Sequence, residues 1–254
     1  MNSSTAQRLI QLNRDFYHNF GADFSDTRQR LQPGVTRLVD SLSGGESILD
    51  LGCGNGELAR ALARRGHHGP YLGLDFSLPL LADASDIPTG FPARFMEADL
   101  TKLSVISDSP SGTSQLSVTD DWSLITCFAT LHHLPSREIR LHFLQTVHSL
   151  LAPNGRFLLS TWQFLNSDKL RARLQPWERI GLTAQDIDEG DHLLDWKRGG
   201  EGLRYVHQYS EDELGSLANE TGFEVIDTFY SDGEGGRLGL YQEWKKLEKG
   251  IETT

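Results

Sequence analysis

Ser47-Ile48-Leu49-Asp50-Leu51-Gly52-Cys53-Gly54-Asn55-Gly56 is the stretch that decides the fold. Its apolar start, residues 47 to 51, reads as a short buried strand. Three glycines at alternate positions follow, and residues 57 to 65 then read as a helix with Leu58, Ala61 and Leu62 on one face. Strand, glycine turn and helix open a Rossmann-like unit, in which the missing side chains let a ligand approach the backbone. The spacing is G-x-G-x-G, whereas the dinucleotide fingerprint is G-x-G-x-x-G. Twenty-five residues after Asp50 lies Asp75, at the end of a second short strand, Tyr71 to Asp75. A carboxylate there can accept both ribose hydroxyls of a nucleoside cofactor.

Downstream segments continue the alternation of strand and helix. Residues 78 to 84 read as a helix, and residues 93 to 100 as a strand carrying the acid Asp99 near its end. Residues 104 to 120, rich in Ser, Thr, Gly and Pro, read as a loop insertion. Residues 122 to 128 form the next strand, running into Ala129-Thr130-Leu131-His132-His133. Strand ends at this place face the ligand crevice, so Phe128 to His133 border it, and His132 or His133 is a candidate for orienting an acceptor. Ser136 opens a helix. Residues 151 to 156 read as a turn and 157 to 162 as a fifth central strand. Ser210 caps another helix with Glu213 at the capping-box position, and two strands follow, 223 to 230 and 238 to 244.

The glycine turn and its acids resemble motif I and its surroundings in the class I S-adenosylmethionine-dependent methyltransferases. The phrase Leu150-Leu151-Ala152-Pro153-Asn154-Gly155-Arg156-Phe157 is similar to that superfamily too. The resemblance implies an α/β fold: a Rossmann-like seven-stranded, mostly parallel sheet with an antiparallel terminal strand and helices on both faces. It implies S-adenosyl-L-methionine as cofactor and S-adenosyl-L-homocysteine as product. The cofactor-binding candidates are then Tyr17, Arg28, Asp50, Gly52, Cys53, Gly54, Asp75, Phe76, Asp99, Leu100, Phe128 and Leu131. In this superfamily an acid at Asp99 receives the adenine amino group, and the next amide, Leu100, serves the ring.

The ends of the chain resemble a narrower group, the tRNA wobble-uridine (5-carboxymethyluridine) carboxyl methyltransferases. The residues concerned are Phe24-Ser25-x-Thr27-Arg28, Gly190-Asp191-x-Leu193-x-x-Trp196, and Arg204-Tyr205-x-His207-x-Tyr209. Asp195 stands where that family has proline. This likeness implies transfer of methyl to a carboxylate oxygen and, in that family, a small zinc-binding activator subunit. The catalytic or acceptor-binding candidates are Arg28, His132, Arg204, Tyr205 and His207. Arg28 also suits the cofactor's own carboxylate, because guanidinium pairs bidentately with carboxylates. Packed-core roles for Tyr17 and Phe24 compete with ligand contact.

This reading divides the chain into an N-terminal helical lid (1–45), a cofactor-binding core (46–162), a substrate-facing insertion (163–209), and a C-terminal helix with the terminal strand pair (210–254). Within the lid, residues 4 to 20 and a segment from Pro33 to Leu42 read as helices, with 24 to 28 as a turn. A formal charge of −11 disfavours broad nucleic-acid affinity and leaves a small-molecule acceptor open beside tRNA. A cofactor-binding scaffold without catalysis and an NAD-dependent oxidoreductase are the remaining alternatives. Two cysteines and no ligand-spaced cluster indicate neither disulfides nor a metal. With no run of 18 apolar residues and a polar start, a cytoplasmic protein away from membranes is expected.

Overall fold

The computed structural model describes residues 1–26, 29–84, 86–103 and 121–247. Five parallel strands are laid down first: β1 (Ile48–Leu51), β2 (Tyr71–Asp75), β3 (Ala93–Glu97), β4 (Trp122–Phe128) and β5 (Leu151–Trp162). Three short strands follow, β6 (Leu174–Gln175), β7 (Asp191–Trp196) and β8 (Gly202–His207), then β9 (Phe223–Ser231) and β10 (Gly239–Lys246). The main sheet has the order β3-β2-β1-β4-β5-β10-β9. Only β10 runs antiparallel, between β5 and β9. The others form a separate antiparallel sheet, β6-β7-β8.

Helices α1 (Ser3–Ser25), α2 (Pro33–Val39), α3 (Glu57–Arg64), α4 (Leu78–Ala84), α5 (Arg137–Leu150), α6 (Asp168–Arg171) and α7 (Glu211–Glu220) complete the chain. Strand β1 is buried at every position, as a central parallel strand covered on both faces must be. Leu49 and Leu51 pack with Phe143, Val147 and Leu217 from α5 and α7. Ile48 points the other way, to Leu58 and Leu62 of α3 and Leu38 of α2. Alternation along a strand thus feeds two cores.

Three elements differ from the sequence expectation. Helix α1 runs to Ser25, so Phe24 lies in a helix rather than a turn. Gly21 does not break it, because a side chain there would press on Pro79 at 3.2 Å, and α1 needs that close approach to α4. Strand β5 begins at Leu151, since the expected turn pairs Leu151 with Trp122 before the register shifts. Strand β3 ends at Glu97, two residues before Asp99. The expected insertion at 104 to 120 lies outside the described residues. No described helix is long and apolar enough to cross a membrane.

Candidate functional site

A cavity of about 380 Å³ opens at the carboxyl ends of β1, β2 and β4, between them and α1. The glycine turn forms its floor. Gly52 has φ +82°, and a side chain there would lie 2.1 Å from Thr130 Oγ1. Gly54, also at positive φ, has open space where its side chain would be. Backbone is therefore exposed to the cavity at Gly54, the cradle a nucleoside-amino-acid ligand needs.

Asp75 stands beside this turn. The Gly54 amide donates to one carboxylate oxygen and the Ser77 amide to the other, both at 2.9 Å. A carboxylate has about four acceptor positions, so Asp75 keeps capacity for a ligand hydroxyl. Burial raises the Asp75 pKa against the Ser77, Gly54 and Phe76 amides. Asp50 is set deeper and takes hydrogen bonds from Tyr71 Oη (2.5 Å) and Thr126 Oγ1 (2.7 Å). Burial pushes its pKa up to about 6, against those two hydroxyls. Asp99 caps the turn Leu100–Lys102 by accepting from the Thr101 amide, and Arg14 of α1 forms an ion pair with it. Cys53 and Phe128 line the same end, and Phe76 meets the Tyr17 ring edge-on at 5.7 Å. These residues fit an adenosine group: two carboxylates, an open glycine and apolar walls.

At the other end α1 meets the second sheet. Tyr17 Oη donates to His133 Nε2 (2.9 Å), and His133 Nδ1–H donates to the Tyr205 carbonyl (3.2 Å). Both nitrogens of His133 are thereby engaged in its neutral form. Burial, helped by the nearby Arg204 cation, lowers its pKa to about 3. His132 Nδ1 accepts from the Trp162 amide (3.3 Å), which puts its ring proton on Nε2. Arg204 is 4% exposed and lines the cavity, with its guanidinium carbon 4.7 Å from the centre of the Trp162 ring.

The structure therefore gathers Tyr17, Asp50, Gly52, Cys53, Gly54, Asp75, Phe76, Asp99, Leu100, Phe128, His132 and Arg204 around one cavity. Leu131 is not in its wall but is fully buried in the main core. Arg28 lies outside the described residues. Tyr205 and His207 depart from the expected acceptor-facing position, because they point to the opposite face of β8 from Arg204. Tyr205 Oη and His207 Nδ1 donate to Asp191 Oδ1 at 2.6 and 2.7 Å. Arg140 donates to Asp191 and Tyr205, while His207 Nε2 reaches Glu213 at 3.0 Å. Burial alone raises the Asp191 pKa, but His207, Tyr205 and Arg140 together bring it below the usual carboxylate value. Asp195 pairs with Arg173 (3.1 Å) and Lys197 (3.3 Å).

Asn13, Arg14, Thr130 and Trp162 also line the cavity and were not among the expected site residues. Asn13 carried a signal: it interrupts the apolar face of α1 between Leu9 and Phe16, where a polar group needs a partner.

Fold and cavity together define a Rossmann-like protein built around a nucleoside cofactor, with the reversed β10 that sets it apart from the NAD-binding form. The family model described as methyltransferase domain matches residues 24–228, and the chain belongs to that family. A protein of Encephalitozoon cuniculi bearing a methyltransferase name is 28% identical over 84% of this chain and 87% of its own. The tRNA (carboxymethyluridine(34)-5-O)-methyltransferase of Arabidopsis thaliana is 28% identical over 68% of this chain, which spans only 37% of that protein. Among solved structures, the Burkholderia thailandensis 1,6-didemethyltoxoflavin-N1-methyltransferase, bound to S-adenosylhomocysteine, superposes with TM-score 0.65 at 18% identity over 96% of this chain and 91% of that one. A Haloferax volcanii methyltransferase in complex with a methyltransferase activator superposes with TM-score 0.64 at 14% identity, covering 94% and 99%. The protein is an S-adenosylmethionine-dependent methyltransferase.

Proposed function

We propose that the methyl acceptor is a carboxylate, and that the substrate is a carboxymethyl-modified uridine of tRNA. The observation that carries this is the state of the two cavity histidines. His133 accepts a hydrogen bond from Tyr17 and donates one to a carbonyl, and His132 accepts one from an amide through Nδ1. With its Nε2 lone pair taken by Tyr17 and its pKa lowered to about 3, His133 is a weak base, and the Nδ1 lone pair of His132 is taken by an amide, so neither histidine is placed to deprotonate a hydroxyl acceptor. A carboxylate is ionised at pH 7 and needs no base. Alignment then does most of the work.

In this reading Asp75 holds the ribose hydroxyls, Asp99 and the Leu100 amide hold the adenine, and the Gly52–Gly54 backbone passes beneath the amino-acid part. Bound S-adenosylmethionine supplies an electrophilic methyl group on a sulfonium. The residues of the chain hold the acceptor in line and exclude water. The tRNA assignment is supported by the name of the Arabidopsis relative. Charge distribution supports it as well. Residues 1–45 and 163–209 contain 12 Lys and Arg and 12 Asp and Glu, so they are neutral, and the rest of the chain carries the whole −11. The lid and insertion segments of this reading therefore do not share the acidity that would repel a polyanion. The Haloferax complex makes a small activator protein a candidate partner. A small-metabolite acceptor is the second reading, favoured by the acidic total and the small molecule named for the Burkholderia structure.

The test is transfer of labelled methyl to bulk tRNA from cells lacking the wobble-uridine methyltransferase, with and without an activator subunit. Base-labile label on tRNA is expected. Label on tRNA that survives base overturns the carboxylate reading, and label that reaches only small molecules overturns the tRNA reading.

A further inference from the structure

Arg204 is a cation inside a ring cage. Its guanidinium carbon lies 4.7 Å from the Trp162 ring centre, 5.4 Å from Phe16 and 5.7 Å from Trp196. The rings shield it from water and restrict its planar fork, which strengthens its attraction for an anion arriving from the cavity. The strand that bears it is held from both faces. Asn13, 4% exposed, accepts from the Tyr205 amide (2.8 Å) and donates to the Tyr205 carbonyl (3.1 Å). One side chain of α1 thus pairs with the backbone beside Arg204 as a neighbouring strand would. On the far face, Arg140 and Asp191 hold the Tyr205 hydroxyl. The same turn of α1 carries Arg14, paired with Asp99, and Tyr17, bonded to His133. Asn13 therefore joins the helix that covers the cofactor end to the strand that carries the cation.

We propose that Arg204 is the acceptor's anion anchor, that Asn13 is its positioning residue, and that the pair distinguishes the ionised acceptor from its methylated product. The discrimination rests on the carboxylate reading above. As the acceptor oxygen bonds to the methyl carbon, the sulfur–carbon bond breaks and its electron pair stays on sulfur. No proton moves. The acceptor loses its negative charge in the step, so Arg204 loses its counter-ion and the neutral ester is released. The anchor favours substrate over product without any conformational change.

The test uses the full chain saturated with S-adenosylhomocysteine and reads binding calorimetrically and by tryptophan emission, since Trp162 and Trp196 flank the cation. The probes are phenylacetate, phenylacetamide, and the nucleosides 5-carboxymethyluridine and its methyl ester. Each carboxylate is expected to bind at least roughly 10-fold tighter than its neutral partner, about the gain of one charge-assisted contact. Arg204→Gln erases that preference, and Arg204→Lys restores only part of it. Asn13→Ala lowers the carboxylate preference and raises acceptor KM while S-adenosylhomocysteine affinity holds. Asn13→Asp, which keeps the accepting half of the clamp, falls between. Unchanged preference in Arg204→Gln, with S-adenosylhomocysteine still bound, overturns the anchor. Equal loss of both ligands in Asn13→Ala overturns the positioning role. The modified-uridine reading is judged separately: it fails if 5-carboxymethyluridine binds no tighter than phenylacetate, and the anchor then stands on phenylacetate alone.

Discussion

At the cofactor end of the cavity, backbone does the holding. Gly52 and Gly54 sit at positive φ, and amides of Gly54 and Ser77 fix Asp75. The glycines, Asp75 and the amides that fix it all come from residues 52 to 77. At the acceptor end, side chains do it: Asn13, Tyr17, His133, Trp162 and Arg204 meet from four distant segments. One end is a local turn whose geometry is dictated by a few φ angles. The other exists only once α1, β5 and β8 are assembled, and substitutions should expose that difference.

Gly52→Ala should have the largest effect on ligand binding. It places a side chain at φ +82° and against Thr130, with 2.1 Å available. The strained backbone alone costs about 1–3 kcal/mol, and the overlap adds to it. Calorimetry should show S-adenosylmethionine affinity falling roughly 100-fold or more, about 3 kcal/mol. Near-normal binding would mean that the turn is softer than the acceptor end.

Arg140→Ala comes next and strikes behind the acceptor end. Arg140 is 2% exposed, and its loss leaves Asp191 and Glu213 without their guanidinium. Removing one partner of a buried ionic network costs about 3–5 kcal/mol. A urea midpoint at pH 7 measures it, and the cofactor end should bind normally in whatever fraction stays folded.

The two ends also respond to acid in opposite directions. Asp50 is raised from 3.8 to about 6, so its favourable contribution is complete below pH 4 and is lost as pH rises through 6. The span corresponds to about 3 kcal/mol. Asp191 is depressed, so its contribution is present above pH 4 and is lost as pH falls through its folded value. Asp50→Asn should therefore flatten the stability profile between pH 4 and 6 and leave the acid limb in place. Thermal melts across that range check it; an unaltered slope would place the titration elsewhere.

The same contrast explains what could be read in advance. The glycine turn and Asp75 were legible because spacing along one short segment specifies them. Asp99 was found as a residue but assigned to a strand, since a cap and a strand end look alike in a line of letters. Tyr17 was legible as an aromatic, but its partner His133 lies 116 residues away. Tyr205 and His207 group with Arg204 by residue type and by their place in the resembled motif. Strand alternation held the correction, since residues 204 and 206 face one side and 205 and 207 the other. Recognising 202 to 207 as a strand was the missing step, and no long apolar run marks it.

Tyr205→Phe is the smallest and most discriminating change at that strand. It removes one hydroxyl, which donates to Asp191 at 2.6 Å and accepts from Arg140 at 2.9 Å. Asp191 keeps His207 and Arg140, and Arg140 keeps Asp191, so two buried hydrogen bonds are lost from groups that stay paired, about 1.5–3 kcal/mol together. For a chain of this size the melting temperature should fall by roughly 2–4 °C per kcal/mol. The ring stays in place, and the Asn13 clamp acts on the backbone rather than the phenol. Acceptor KM and S-adenosylmethionine affinity should then match the parent protein. A large rise in KM without a change in melting temperature would put the Tyr205 hydroxyl at the acceptor, and the two faces of β8 would serve one site instead of two.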